Sequence, residues 1–117
     1  MTKTEFAKRA AKIKLVVTDV DGVLTDGRLY FLPMPDGGFA EVKGFNALDG
    51  IGFMMLRSFG IGAGIITGRN APSTVERARM LGMKYVYLGF VSKLGPLDDL
   101  LRREKISSEE IAYIGDD

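Results

Sequence analysis

Apolar positions along the chain fall into two alternating patterns. Four short runs, Leu15 to Val20, Ala63 to Thr67, Tyr85 to Leu88 and Ile111 to Ile114, are rich in β-branched, aromatic or aliphatic residues and lack a helical period. They predict strands buried on both faces. Between them, apolar residues recur three and four apart. Leu48, Ile51, Met55 and Phe59 predict a helix that stops at Gly60, and Phe53 and Leu56 give it a second apolar face. Ala71 to Leu81 predicts a helix with Pro72 in its first turn and Gly82 behind its end. Leu94 to Lys105 predicts another, with Asp98 and Asp99 placed four residues before Arg102 and Arg103, which suits the helix dipole. A basic amphipathic stretch, Thr4 to Ile13, reads as a lead-in helix, and Ser107 to Glu110 as a capping box on a single turn. Leu29 to Leu32 and Phe39 to Phe45 flank a Pro- and Gly-rich segment and predict a β-hairpin with a longer loop. Strands alternating with helices imply an α/β fold: an open parallel sheet with right-handed crossovers. With 117 residues, one domain spanning 1–117 is expected.

Composition narrows the chemistry by what it lacks. The chain has no cysteine, which excludes disulfides and thiolate-ligated metals, and no histidine, which excludes His-based triads and His-ligated metals. Acid–base or metal chemistry then rests on carboxylates, lysine, tyrosine and hydroxyls, and any metal is a hard, oxygen-loving one. The net charge of +1 gives no general pull toward nucleic acid or an acidic membrane. The basic N-terminus lacks the apolar core of a signal peptide, and no apolar run is long enough to span a bilayer, so a cytoplasmic location is expected.

Ligands of open α/β sheets bind beyond the carboxyl ends of the strands. Four polar groups fall there in order: Asp19 and Asp21 after the first strand, Thr67-Gly68-Arg69 after the second, Lys93 beyond the third, and Asp116-Asp117 after the fourth. Each has a plainer explanation alone, as a helix cap, a turn former or a solvated surface lysine. Their ordered recurrence at successive strand ends is what points to a site. Gly60-x-Gly62-x-Gly64 precedes a strand and so does not qualify as a dinucleotide-binding turn.

Asp19-Val-Asp-Gly-Val-Leu-Thr25, the Thr67 of Ile65-Ile-Thr-Gly-Arg69, Lys93 and Gly115-Asp-Asp117 together resemble the four motifs of the haloacid dehalogenase superfamily of phosphotransferases. Thr25-Asp-Gly27, Phe45-Asn46 and Asp49-Gly50 add likeness to its capless branch of 3-deoxy-D-manno-octulosonate 8-phosphate phosphatases. The resemblance implies a Rossmann-like sheet with a β-hairpin flap, and Mg²⁺ held by Asp19, the Asp21 carbonyl and Asp116, with Asp117 behind them. It implies Asp19 as nucleophile, Asp21 as proton donor and acceptor, and Thr67, Gly68, Arg69 and Lys93 as binders of phosphate and substrate. The substrate is then a small sugar-acid phosphate, and the assembly a homotetramer built through the hairpin. Closely related nononate 9-phosphate phosphatases stay open as an alternative. An acid at Asp21, where related transport ATPases carry threonine, favours a poor alkoxide leaving group. The 45 residues between Asp21 and Thr67 and the 25 between Thr67 and Lys93 leave no room for a cap domain. The family's further strand and helices beyond the fourth motif have no counterpart in the sequence, which leaves an inactive assembly or regulatory fragment as a further alternative. A phospho-receiver domain is disfavoured, because receivers place the acidic pair first and the phosphorylated aspartate later.

Overall fold

In the computed structural model, residues 1–115 are described; Asp116 and Asp117 lie outside the described residues. Four parallel strands form the central sheet: β1 (Leu15–Thr18), β4 (Gly62–Thr67), β5 (Tyr85–Leu88) and β6 (Ile111–Ile114), in the order β5-β4-β1-β6. β1 aligns Leu15 with Gly62 on one side and with Ile111 on the other. A separate antiparallel pair, β2 (Tyr30–Pro33) and β3 (Phe39–Val42), makes the expected hairpin, with Tyr30 opposite Val42. The helices are α1 (Lys3–Ala10), α2 (Leu48–Ser58), α3 (Pro72–Leu81) and α4 (Leu94–Glu104), and a 3₁₀ turn spans Ser108–Glu110.

Burial on both faces explains the unbroken apolar runs of the strands. One core gathers Val20, Leu24, Phe53, Ala63, Ile65, Ala78 and Leu81, under α2 and α3. The other gathers Leu15, Val17, Ile66 and Leu100, under α4. Alternation within β4 sends Ala63 and Ile65 to the first core and Ile66 to the second. Gly62 and Gly64, two of the glycines of the discounted motif, lie inside β4. A methyl group on Gly64 would stand 3.2 Å from Tyr85, so glycine lets these strands pack closely.

Three local expectations shift. The stripe Leu48, Ile51, Met55 and Phe59 is exposed, whereas Phe53 is buried and Leu56 packs on the core. A helix apolar on two faces offers the sheet a choice, and the face carrying the large Phe53 ring takes it. The lead-in helix is capped by a Thr2–Glu5 box but buries no residue, and Phe6 stays exposed. Of the two acid–base pairs expected along α4, Asp99–Arg103 forms at 3.0 Å, and Arg102 also turns to Asp99, at 3.4 Å. Asp99 draws both because it is already fixed, accepting a 2.5 Å hydrogen bond from the Tyr87 hydroxyl. The other features agree with the pattern: Pro72 opens α3, Gly82 closes it in the left-handed conformation, and Ser107 and Glu110 form their capping box.

Candidate active site

β1 ends at Thr18, and the next residue delivers the first acid to the carboxyl edge of the sheet. Asp19 is buried, and its Oδ1 accepts a 2.7 Å hydrogen bond from the Val20 amide. Gly22, at φ +79°, turns the chain immediately after Asp21. The Thr25 hydroxyl accepts hydrogen bonds from the Gly22 and Gly27 amides and so ties the loop together. Lys93, the residue before α4, crosses to Asp19 and places its Nζ 2.9 Å from Oδ2. Both carboxylate oxygens of Asp19 are therefore oriented by donors.

Thr67 ends β4, buried, and its hydroxyl accepts from the Arg69 amide at 3.3 Å. Asp19, Asp21, Thr67, Gly68, Arg69, Val91 and Lys93 line one cavity of about 260 Å³. Six of the eight site residues expected from sequence thus converge; Asp116 and Asp117 lie outside the described residues. Larger clefts exist. One of about 460 Å³, between the loop after β1, Tyr30 and the start of α2, lacks Asp19 and Lys93. Size is therefore a poorer guide here than the convergence of acids and cations.

Two site-edge residues escaped the sequence reading. Lys43, just after β3, has a fully buried side chain that ion-pairs with Asp21 Oδ1 and lies 3.3 Å from Glu41 Oε1. Glu41 in turn accepts from Arg69 at 3.2 Å, and Arg69 Nε stands 3.6 Å from Asp21 Oδ2. The available signal was Glu41-x-Lys43 with two-residue spacing, which puts opposite charges on one face of a strand. What hid it was that the hairpin's return onto the loop after β1 is a tertiary event.

The donor set fits a hard divalent cation. Asp19 and Asp21 offer oxygen, and no histidine or cysteine competes. Among the described residues no group of three such ligands comes together, and the expected third ligand, Asp116, lies outside them.

No protein-family model matches the chain. Individual relatives do. The chain is 43% identical over 113 residues to 3-deoxy-D-manno-octulosonate 8-phosphate phosphatase of Yersinia pestis, covering 97% of the chain and 58% of that protein. A hydrolase of the haloacid dehalogenase superfamily, subfamily III A, from Legionella pneumophila superposes with a TM-score of 0.86 at 35% identity, over 97% of this chain and 60% of that one. The chain belongs to the haloacid dehalogenase superfamily. Within the superfamily, it also superposes on the Moraxella catarrhalis octulosonate phosphatase in complex with magnesium, phosphate and the octulosonate sugar. That match has a TM-score of 0.89 at 36% identity, over 98% of this chain and 64% of that one. The chain thus spans about three fifths of the length of the superfamily members it matches.

Proposed function

We propose that this chain carries the phosphoryl-transfer site of a Mg²⁺-dependent cytoplasmic phosphatase. The substrate is a sugar-acid phosphate, 3-deoxy-D-manno-octulosonate 8-phosphate. The observation that carries the reading is Asp19, oriented at both oxygens by the Val20 amide and by Lys93, in a cavity shared with Thr67 and Asp21. The named activity of the Yersinia relative and the ligands of the Moraxella structure support the substrate.

A phosphate monoester is a dianion and repels a carboxylate, so attack requires positive charge nearby. Lys93 supplies one cation beside Asp19. Asp19, the Asp21 carbonyl and Asp116 would hold the metal, with Asp117 orienting its surroundings. When bound, Mg²⁺ offsets charge on the phosphoryl oxygens. Thr67, the Gly68 amide and Lys93 bind the remaining oxygens.

An Asp19 oxygen forms a bond to phosphorus as the bond from phosphorus to the sugar oxygen breaks. Asp21, ion-paired with Lys43 before substrate binds, takes up a proton from solvent as the phosphate dianion enters and gives it to the departing alkoxide, which leaves as an alcohol. Water then attacks the aspartyl-phosphate, Asp21 takes a proton from it, and the bond from phosphorus to Asp19 breaks. Inorganic phosphate leaves and both aspartates are regenerated. Arg69 meets the sugar carboxylate, since guanidinium pairs well with carboxylates.

Phosphate release from a panel of sugar phosphates, with Mg²⁺ and after chelation, tests this. Turnover is expected on the octulosonate ester with Mg²⁺, little with Ca²⁺, and none after chelation. Full activity after thorough chelation contradicts the mechanism, and preference for a neutral sugar phosphate contradicts the substrate.

A further inference from the structure

Among the lysines that form ion pairs within the described residues, Lys43 is the one with a wholly buried side chain. It sits at the end of a hairpin whose apolar side chains are otherwise exposed: Tyr30, Phe31, Leu32, Phe39 and Val42 all lie open. Burying an ammonium costs several kcal/mol unless anions compensate it at close range. Two anions do so, Asp21 and Glu41. Glu41 Oε1 is itself buried and lacks a well-directed hydrogen bond, so it depends on the charge of Lys43 at 3.3 Å. A hairpin needing only a surface fold-back would not carry this cost. The arrangement has a purpose where it touches the catalytic loop. Lys43 holds Asp21 Oδ1, while Oδ2 stands 3.6 Å from Arg69 Nε, beyond hydrogen-bond distance. One oxygen of Asp21 is anchored and the other remains for proton transfer.

We propose that Lys43 is a positioning residue: with Glu41 as its buried countercharge, it ties the hairpin to the catalytic loop and fixes the direction of the Asp21 carboxylate. The inference rests on the reading of Asp21 as the group that protonates the leaving alkoxide. A proton donor contributes only when its oxygen is held within hydrogen-bond reach of the leaving atom.

Two esters separate positioning from folding. An alkyl sugar phosphate leaves as an alkoxide and needs the proton; p-nitrophenyl phosphate leaves as a stable phenolate and does not. In Lys43→Met, the pre-steady-state rate of aspartyl-phosphate formation from the alkyl ester should fall about 10²-fold, within the range assigned to general acid catalysis, and from the aryl ester at least tenfold less; the hydrolysis that follows needs Asp21 for both esters, so this first step is the one compared. Lys43→Arg should recover part of the loss. Lys43→Met on its own strands Glu41, so the double variant Glu41→Gln/Lys43→Met is the folded control. It removes charge and countercharge together, which is close to neutral for stability, and it should keep the selective loss. Equal loss in the rate of aspartyl-phosphate formation on both esters in the double variant overturns the proposal.

Amide hydrogen exchange of residues 30–43 reads the anchor without activity. It should quicken about tenfold in Lys43→Met relative to the sheet amides of β1 and β4, and unchanged exchange overturns the anchor. A parent protein inactive on both esters contradicts the phosphatase reading instead, and the exchange experiment then decides the anchor by itself.

Discussion

Asp19 owes its geometry to a strand end, an adjacent amide and a lysine 74 residues away in sequence. No neighbouring histidine can replace it as nucleophile, because the chain has none. Asp19→Asn keeps the side-chain size and removes the attacking charge. It should lower turnover at least ~10³-fold, the scale of losing a covalent catalyst, with the thermal midpoint little changed. Steady-state phosphate release and a melting curve check both halves. Asp21→Asn should cripple the same reaction through the leaving group and the hydrolytic water. Near-native turnover in Asp19→Asn would move the nucleophile elsewhere.

Among the elements, the junction of β5 and α4 has a pH signature. Burial and the hydrogen bond to Asp99 push the Tyr87 hydroxyl from its ordinary value of 10.0 up to about 12. Its folded value is raised, so its stabilising effect is complete below pH 10 and is lost as pH climbs through about 12. Chemical denaturation should therefore show stability falling between about pH 10 and 12, and Tyr87→Phe should flatten part of that fall. An identical slope in the variant would show that the hydroxyl does not couple to folding. Much at this scale was legible in the sequence. The four sheet strands, and the acids, Thr67 and Lys93 beyond their ends, follow from unbroken apolar runs and from where polar residues interrupt them. The buried face of α2 was not legible, because Phe53 and the Leu48–Ile51–Met55 stripe compete on one helix and only packing decides. The Lys43–Asp21 pair was not legible either, since its partners are 22 residues apart on elements whose approach no local pattern encodes.

At the scale of the whole molecule, the exposed apolar hairpin and the open, capless site belong together. A lone two-stranded hairpin is marginal in water, and this one leaves Phe31, Phe39 and Val42 uncovered. We propose that it packs at a homotetramer interface. Phe31→Asp with Val42→Asp should dissociate the assembly in sedimentation and raise KM. The edge of β6, which pairs with β1 on one side only among the described strands, offers a competing route. An oligomer indifferent to the hairpin substitutions would point there, and a monomer at all concentrations would contradict assembly. The central claim, that phosphoryl transfer passes through Asp19, is tested most directly by acid-quenching the chain during turnover of a sugar phosphate and locating modification by peptide mass spectrometry. The expected result is one added phosphoryl group on the peptide containing Asp19, absent in Asp19→Asn. Turnover with that peptide unmodified, or with the phosphoryl group on another residue, would contradict the account.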